Sequence, residues 1–470
     1  MTDELVVQVA QGQLLGTKEG QTHAFYDIPY GQFAGRFKYV AAPNTWEGTR
    51  LATKPGPIFN QDINRLGPVM GSKPEEKNQS EDAFRLNVWT TGSQTKKPVL
   101  FWIHGGGFLT GGGALPWYNG QSLAENGDIV VVTVNYRLGA LGHLYQPGVA
   151  DDNLALHDLI TALTWVKDNI AVFGGDPDQI TVAGQSVGAW YTLALFASPL
   201  ARDMIHRIGL LSFPGAAEPL TKDKAAMLTD ILLAQLGLYD PAELTQVPVE
   251  KIVTAQGAVA LEMQKRTGDP VPTGFYPYID GHIITGSIMQ GALDRANAQT
   301  QLFAGTTTNE TTAFFQQPAV KKQANYFEMI QKTTADIFQI PTQALITGFA
   351  AQQAPSYLYD MAFAAKDPMM LACHCIDLPF IFNNFTQWDN APMLADVDTS
   401  KAYPLAEHMQ AYFTQFVKTG NPNQEDQLDW PQFAANHPAK IVFNQVITVE
   451  KLVVNLRANE LAFFEKVLCL

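Results

Sequence analysis

The sequence predicts an α/β fold with a doubly wound, mostly parallel central sheet, from two features of its patterning and one of its composition. Four continuous apolar runs, PVLFWI from Pro98, IVVVTV from Ile129, ITVAG from Ile180 and IGLLSF from Ile208, have the texture of strands covered on both faces. Helical patterns lie between them, most clearly from Leu154 to Ile170, where apolar residues recur at i, i+3, i+4 and i+7. Strand and helix in alternation make a parallel sheet with helices on both sides. Hydrophobic residues are 46% of the 470 and charged residues only 16%, against roughly 25% in an average soluble domain. A large buried core follows.

Taken in order, the first 40 residues read as a β-meander, with LVVQV, QLLGT and HAFYDI separated by Gln-Gly and Glu-Gly turn signals. The four buried strands and their helices come next. After about Ala216 the pattern turns mostly helical, with further strand candidates at QLFAG (Gln301 to Gly305) and KIVFNQ (Lys440 to Gln445). Helices inserted before the final strands are expected to form a cap, roughly within 216–300 and 312–400, on a single domain spanning 1–470. Length alone would suggest about three domains, a soft prior that large α/β folds often break.

The net charge of −14 argues against a nucleic-acid partner, which would need a basic face. No run of about 18 apolar residues is present, and the acidic start MTDELVVQVAQG lacks the pattern of a signal peptide, so no membrane partner is expected. Three cysteines occur, Cys373, Cys375 and Cys469; the first two are i, i+2 neighbours that cannot easily bridge each other. This is no disulfide framework, and it favours a reducing cytoplasm.

One motif carries chemistry. Gly184-Gln185-Ser186-Val187-Gly188 follows the strand ITVA and opens the helical stretch VGAWYTLALFA, the strand, turn and helix context of a nucleophile elbow. Ser186 would sit in a strained turn with its hydroxyl lifted from the sheet, and the helix N-terminus behind it would offer N–H groups to a developing oxyanion. His104-Gly105-Gly106-Gly107-Phe108, immediately after VLFWI, is a second element: glycines let backbone N–H groups approach a substrate carbonyl. A merely flexible glycine-rich loop is the alternative, since Gly111 to Gly113 adds a second run.

These residues, with FYDIPYG, SEDAFRLNVWT, VVVTVNYRLGALG, ALTWVKDNIAVFGGDPDQITVAGQSVGA, YPYIDG and MQAYFTQFVKTGNPN, resemble the type-B carboxylesterases, a family that includes the cholinesterases, and most closely its bacterial members. The likeness covers nearly the whole chain. It implies an α/β-hydrolase fold and a serine carboxylesterase acting on short-chain or aryl esters through an acyl-serine intermediate, with no cofactor and no metal. Residue by residue, it implies Ser186 as nucleophile, Glu310 in QLFAGTTTNETTAFF as acid and His374 in ACHCIDLPFIF as base, in the chain order that this fold requires. Gly106, Gly107 and Val187 would supply the oxyanion hole, while Gln185 and Ser212 would stand behind these groups. Of the histidines far enough along the chain, His282, His374, His408 and His437, only His374 lies in a family-like stretch; Asp280 is the runner-up acid. A base of this kind is expected to fail below about pH 6.

The chain also departs from the family. The glutamate usual before the serine is Gln185, Val187 is β-branched, and Phe213 follows Ser212 where glycine is usual. Phe59 and Ala83 occupy the places of the first disulfide. From Asn60 to Ala83 no aromatic residue is present to hold a quaternary ammonium. Arg137 and Asp176 resemble structural family positions, as an ion pair or loop anchors. The rival readings are a binding domain that has lost catalysis, though it retains all three triad residues, and an amidase or lipase on the same scaffold.

Overall fold

The computed structural model describes residues 5–92, 96–268 and 274–452; Cys469 lies outside them. An eleven-stranded sheet dominates, here numbered β1 (Thr17–Glu19), β2 (Thr22–Pro29), β3 (Arg85–Thr90), β4 (Lys97–Ile103), β5 (Val130–Val134), β6 (Gly175–Gln185), β7 (Arg207–Leu211), β8 (Gln301–Thr307), β9 (Ser356–Met361), β10 (Ala439–Phe443) and β11 (Thr448–Lys451). Its spatial order is β11-β10-β9-β8-β7-β6-β4-β5-β3-β2-β1. The strands from β5 to β10 run parallel, and β1 to β3 at one edge and β11 at the other are antiparallel. All four predicted buried strands are present.

The continuous apolar runs have a direct cause. In β4, Val99, Phe101 and Ile103 pack into one core cluster with Leu156, Leu159 and Trp190 from helices α1 (Leu154–Asn169) and α2 (Val187–Ala197). The alternate residues Leu100 and Trp102 pack into a second cluster with Phe382, Phe413 and Phe416 on the opposite face. Each strand therefore has two apolar sides, as a sheet covered by helices on both faces demands.

Two details differ from expectation. The N-terminal meander divides: Val6–Val9 and Gly12–Leu15 pair with Thr49–Leu51 in a separate three-stranded sheet, while the next two strands join the edge of the large one. Strands β9 and β11 carry no continuous apolar run, SYLYDM and TVEK respectively, and their pairing with β8 and β10 rather than local hydrophobicity makes them strands.

The β6 register sets up the site. Ala183 lies opposite Trp102 and Gly184 opposite Ile103, so β4 and β6 end together at the carboxyl edge where the sheet changes its winding direction. Below this edge, Arg137 and Asp158 form a buried two-pronged ion pair, with Nε to Oδ2 at 2.8 Å and Nη2 to Oδ1 at 2.5 Å. The Arg137 partner is thus Asp158 and not Asp176, which instead caps its own turn by accepting from the Asp178 N–H at 3.1 Å. Phe59 and Ala83 are both buried, and Phe59 packs edge-on against Phe84 at 5.0 Å.

Candidate active site

Ser186 stands at the tip between β6 and α2 with φ 59° and ψ −129°, a conformation that a non-glycine residue adopts only under strain. Its N–H is fixed by the carbonyl of Leu211 at 2.8 Å, and the residue is 9% exposed. The two flanking glycines are required by close approach: a Cβ on Gly184 would lie 2.4 Å from the Gly188 carbonyl carbon, and one on Gly188 only 2.1 Å from the Ile103 oxygen. The strand, the helix and the β4 end meet there without room for a methyl group.

The glycine loop after β4 faces this turn. Gly106 has φ 125°, and a Cβ there would lie 1.8 Å from the Thr110 carbonyl oxygen, so only glycine fits. Gly107 and Phe108 follow with φ 64° and 65°. Among the described residues, the N–H groups of Gly106, Gly107 and Val187 enter no hydrogen bond, as expected for the first N–H of a helix and for a loop curled outward. The loop is braced from behind. Gln61 donates to Gly111 O at 2.7 Å and accepts from Gly111 N at 2.6 Å, and the Tyr136 hydroxyl donates to His104 O at 2.7 Å. His104 is fully buried and stacked on Tyr136 at 4.3 Å, and burial pushes its pKa down to about 4. It is a neutral structural ring.

Glu310 and His374 meet although 64 residues apart. Oε2 of Glu310 lies 2.5 Å from His374 Nδ1, with both side chains fully buried, and Oε1 accepts from the Thr307 N–H at 2.8 Å. Two backbone bonds lock the loops together, His374 N to Glu310 O at 3.1 Å and Asn309 N to Ala372 O at 3.0 Å. Burial pulls the His374 pKa down, but the charges of Cys375 and Glu310, with their hydrogen bonds, more than offset it, and the net direction is upward. Asp377, buried and bonded to the Tyr359 hydroxyl at 2.8 Å, is pushed up to about 6 by burial and by the charge of Glu310.

The other sequence candidates fall elsewhere. Asp280 Oδ1 accepts the N–H groups of His282, Ile283 and Ile284, a turn-capping role that occupies it. His408 lies on the Thr399–Thr419 helix, and exposed His437 makes its ring contact with the neighbouring Asn436 carbonyl. Ser212 has φ 51° and its N–H bonds Gly305 O at 2.8 Å, but its buried hydroxyl has no partner and does not reach Glu310. Val187 is 4% exposed and packs in the core.

Two rings escaped sequence reasoning. Phe314 and Phe338 lie parallel, with centroids 5.1 and 5.2 Å from the His374 ring. Phe338 belongs to a π-helical segment, Ala335–Gln339, between the Tyr326–Thr334 and Ile340–Ala351 helices. A widened turn of this kind often marks a functional site, but it leaves no signature in apolar spacing.

Among the described residues no group of three His, Cys, Asp or Glu side chains could hold a metal ion, and no helix is long and apolar enough to cross a membrane.

The chain is similar to known proteins along nearly its whole length. A model of the carboxylesterase family matches residues 3–327 and 316–464. The chain is 31% identical to a phenmedipham hydrolase of Pseudarthrobacter oxydans, over 93% of this chain and 94% of the relative. It is 30% identical to the para-nitrobenzyl esterase of Bacillus subtilis, over 95% and 96% respectively. Among solved structures, a thermophilic PNB esterase superposes with a TM-score of 0.86 at 28% identity, covering 97% of this chain and all of that one. A Geobacillus stearothermophilus carboxylesterase follows with a TM-score of 0.82 at 28% identity, covering 98% of this chain and 100% of that one. With its α/β-hydrolase sheet and a match along nearly its whole length, the chain belongs to the carboxylesterase family and is a carboxylic ester hydrolase.

Proposed function

We propose that the protein hydrolyses short-chain or aryl carboxylic esters through an acyl-serine intermediate, with Ser186 as nucleophile, His374 as general base and Glu310 as its orienting acid. The observation that carries the reading is the buried 2.5 Å contact between Glu310 Oε2 and His374 Nδ1, which fixes the tautomer with the Nε2 lone pair outward. His374 takes the Ser186 proton as Oγ attacks the ester carbonyl. The oxyanion then accepts the N–H groups of Gly106, Gly107 and Val187. The alcohol leaves with a proton from His374, and a water deprotonated by the same ring releases the acid.

On this reading the helical segments within 216–300 and 312–400 roof the site of one domain, with Phe314 and Phe338 walling the imidazole. The two buried thiols Cys373 and Cys375 suit a reducing cytoplasm, and a bacterial source agrees with the bacterial relatives.

The test is a series of p-nitrophenyl esters of rising acyl length with wild type and Ser186→Ala. Turnover should drop on the order of 10⁶-fold in the variant. An organophosphate should leave a single adduct on Ser186 of the wild type. An alanine variant with wild-type turnover would sink the proposal.

A further inference from the structure

Arg65 is a cation beside the glycine loop, and among the described residues no acid pairs with it. Its Nη2 lies 3.0 Å from the point that a Cβ on Gly107 would occupy, hence within roughly 4.5 Å of the Gly107 Cα. The residue is exposed, and among the described residues its side chain enters no hydrogen bond or ion pair. The nearest acid in sequence, Asp62, accepts the N–H of Ile63 through Oδ1 at 2.7 Å. The acids closest to the candidate base are engaged too, Glu310 by His374 and Asp377 by Tyr359. On a chain of net charge −14, an unpaired guanidinium here is a local exception.

Its backbone is held while its side chain stays available. Upstream, Gln61 is bonded twice to Gly111 of the same glycine-rich stretch. Downstream, Asn64 accepts the N–H of Leu66 at 3.0 Å through Oδ1 and that of Gly67 at 3.0 Å through its carbonyl, and the short Gly67–Met70 helix buries Val69 and Met70. The Arg65 Cα is thereby fixed relative to the candidate oxyanion N–H groups. No aromatic side chain from Asn60 to Ala83 competes for the space.

We propose that Arg65 determines substrate specificity by pairing with a carboxylate carried on the ester, so that the preferred substrates are esters with a negative charge near the scissile carbonyl. A planar guanidinium binds a carboxylate through two parallel N–H donors, a geometry that a lysine cannot copy. The proposal rests on the ester hydrolase reading of this site and names its substrate class.

The test compares kcat/KM on neutral p-nitrophenyl butyrate with two anionic esters. Mono-p-nitrophenyl succinate carries its charge on the acyl side, and 4-acetoxybenzoate carries it on the alcohol side. Wild type, Arg65→Ala, Arg65→Lys and Arg65→Glu are each run at low and high salt. The ratio of anionic to neutral kcat/KM should fall about tenfold in Arg65→Ala, mainly through KM, further in Arg65→Glu, and less in Arg65→Lys. Wild-type preference should also weaken as salt rises. Whichever anionic ester shows the effect identifies the side of the site that Arg65 serves.

A ratio that stays constant across the four proteins, with all four folded by circular dichroism, overturns the proposal, because a structural role would lower both substrates alike. Failure of the mechanism itself is distinguishable. It would appear as retained turnover of every ester by Ser186→Ala, whereas failure of the Arg65 assignment leaves that variant inactive and only the charge preference unmoved.

Discussion

The side-chain nitrogen of Gln185 lies 3.2 Å from Nε2 of His374, and Oε1 of the same amide accepts from the Cys375 thiol at 3.7 Å. Since Nδ1–H is given to Glu310, the neutral ring holds its lone pair on Nε2, and the amide turns an N–H toward it. Among the described residues no hydrogen bond joins Ser186 to His374. In this resting geometry Gln185 and the nucleophile compete for one acceptor. Catalytic hydrogen bonds commonly tighten only when substrate arrives, so the amide has to yield before Ser186 is deprotonated.

Gln185 is consequently expected to set the pH dependence. An amide N–H stabilises neutral His374 and disfavours the imidazolium; a carboxylate in its place does the reverse. Gln185→Glu should therefore move the acid limb of kcat/KM to higher pH, by about half a unit or more for one hydrogen bond exchanged for a charge. Cys375→Ala should move it to lower pH, because Cys375 is among the groups that raise the His374 pKa, and Cys375→Ser should lie nearer the wild-type limb. Superimposable limbs for all four proteins would remove Gln185 and Cys375 from this role.

The acid limb itself should lie higher than sequence reasoning placed it. The groups facing His374 are Glu310, Cys375, Asp377 with Tyr359, and the neighbouring Cys373, with the rings of Phe314 and Phe338 alongside. The net effect raises the His374 pKa above the ordinary histidine value. The active form is the neutral ring, so activity is present above this pKa and is lost as pH falls through it, which places the midpoint above about 6.5. A kcat/KM profile of wild type with an uncharged ester, showing full activity at pH 6, would contradict the assignment.

The oxyanion loop should tolerate no side chain at Gly106. With φ 125° and the Thr110 oxygen 1.8 Å from a would-be Cβ, Gly106→Ala must displace the backbone that carries two of the candidate donors. Loss of one such donor typically lowers turnover about 10² to 10³-fold. Equal kcat in the alanine variant, measured on the same ester, would argue that these N–H groups do not hold the oxyanion.

The sequence made the sheet and the turn that carries Ser186 legible for a physical reason, whereas Glu310 and His374 were named only through the family resemblance. Strands covered on both faces must be apolar throughout, and a serine lifted on a tight turn must have small neighbours, so both leave local signatures. What stayed hidden depends on contacts between distant segments. The strand Ser356–Met361 is polar in part and exists through its pairing with Gln301–Thr307 on one side and Ala439–Phe443 on the other. Arg137 found Asp158, not Asp176, because α1 passes beneath the 137 loop, which no spacing reveals. Phe338 reaches His374 only through a π-helical turn. Ser212, singled out by its stretch, bonds strand β8 through its backbone and leaves its hydroxyl unused.

The Arg137–Asp158 pair gives a stability prediction with a built-in control. The aspartate side chain is fully buried and the arginine 5% exposed, so screening by solvent is small. Asp158 also accepts the Arg137 backbone N–H at 3.1 Å, which ties the ion pair to the loop after β5. Asp158→Ala should cost about 3–5 kcal/mol, because it leaves a buried guanidinium uncompensated. Arg137→Met with Asp158→Leu should recover much of that, since an apolar pair removes the stranded charge. Urea midpoints of the three proteins decide the matter. A single variant as stable as the double would mean that solvent reaches the site.

A preference for choline esters should be absent. Recognition of a quaternary ammonium needs an aromatic face within about 6 Å of the cation. The segment that would carry one, Asn60 to Ala83, has no aromatic residue and contributes Arg65 instead, whose charge repels a cation beside Gly107. Two independent terms thus oppose the same ligand. Acetylthiocholine can be compared with 3,3-dimethylbutyl thioacetate, which has the same shape and no charge. The uncharged ester should have the higher kcat/KM in wild type, and the gap should narrow in Arg65→Ala as the repulsion is removed. Preferential turnover of acetylthiocholine by wild type would show that another surface binds the cation, and both parts of the argument would then fail.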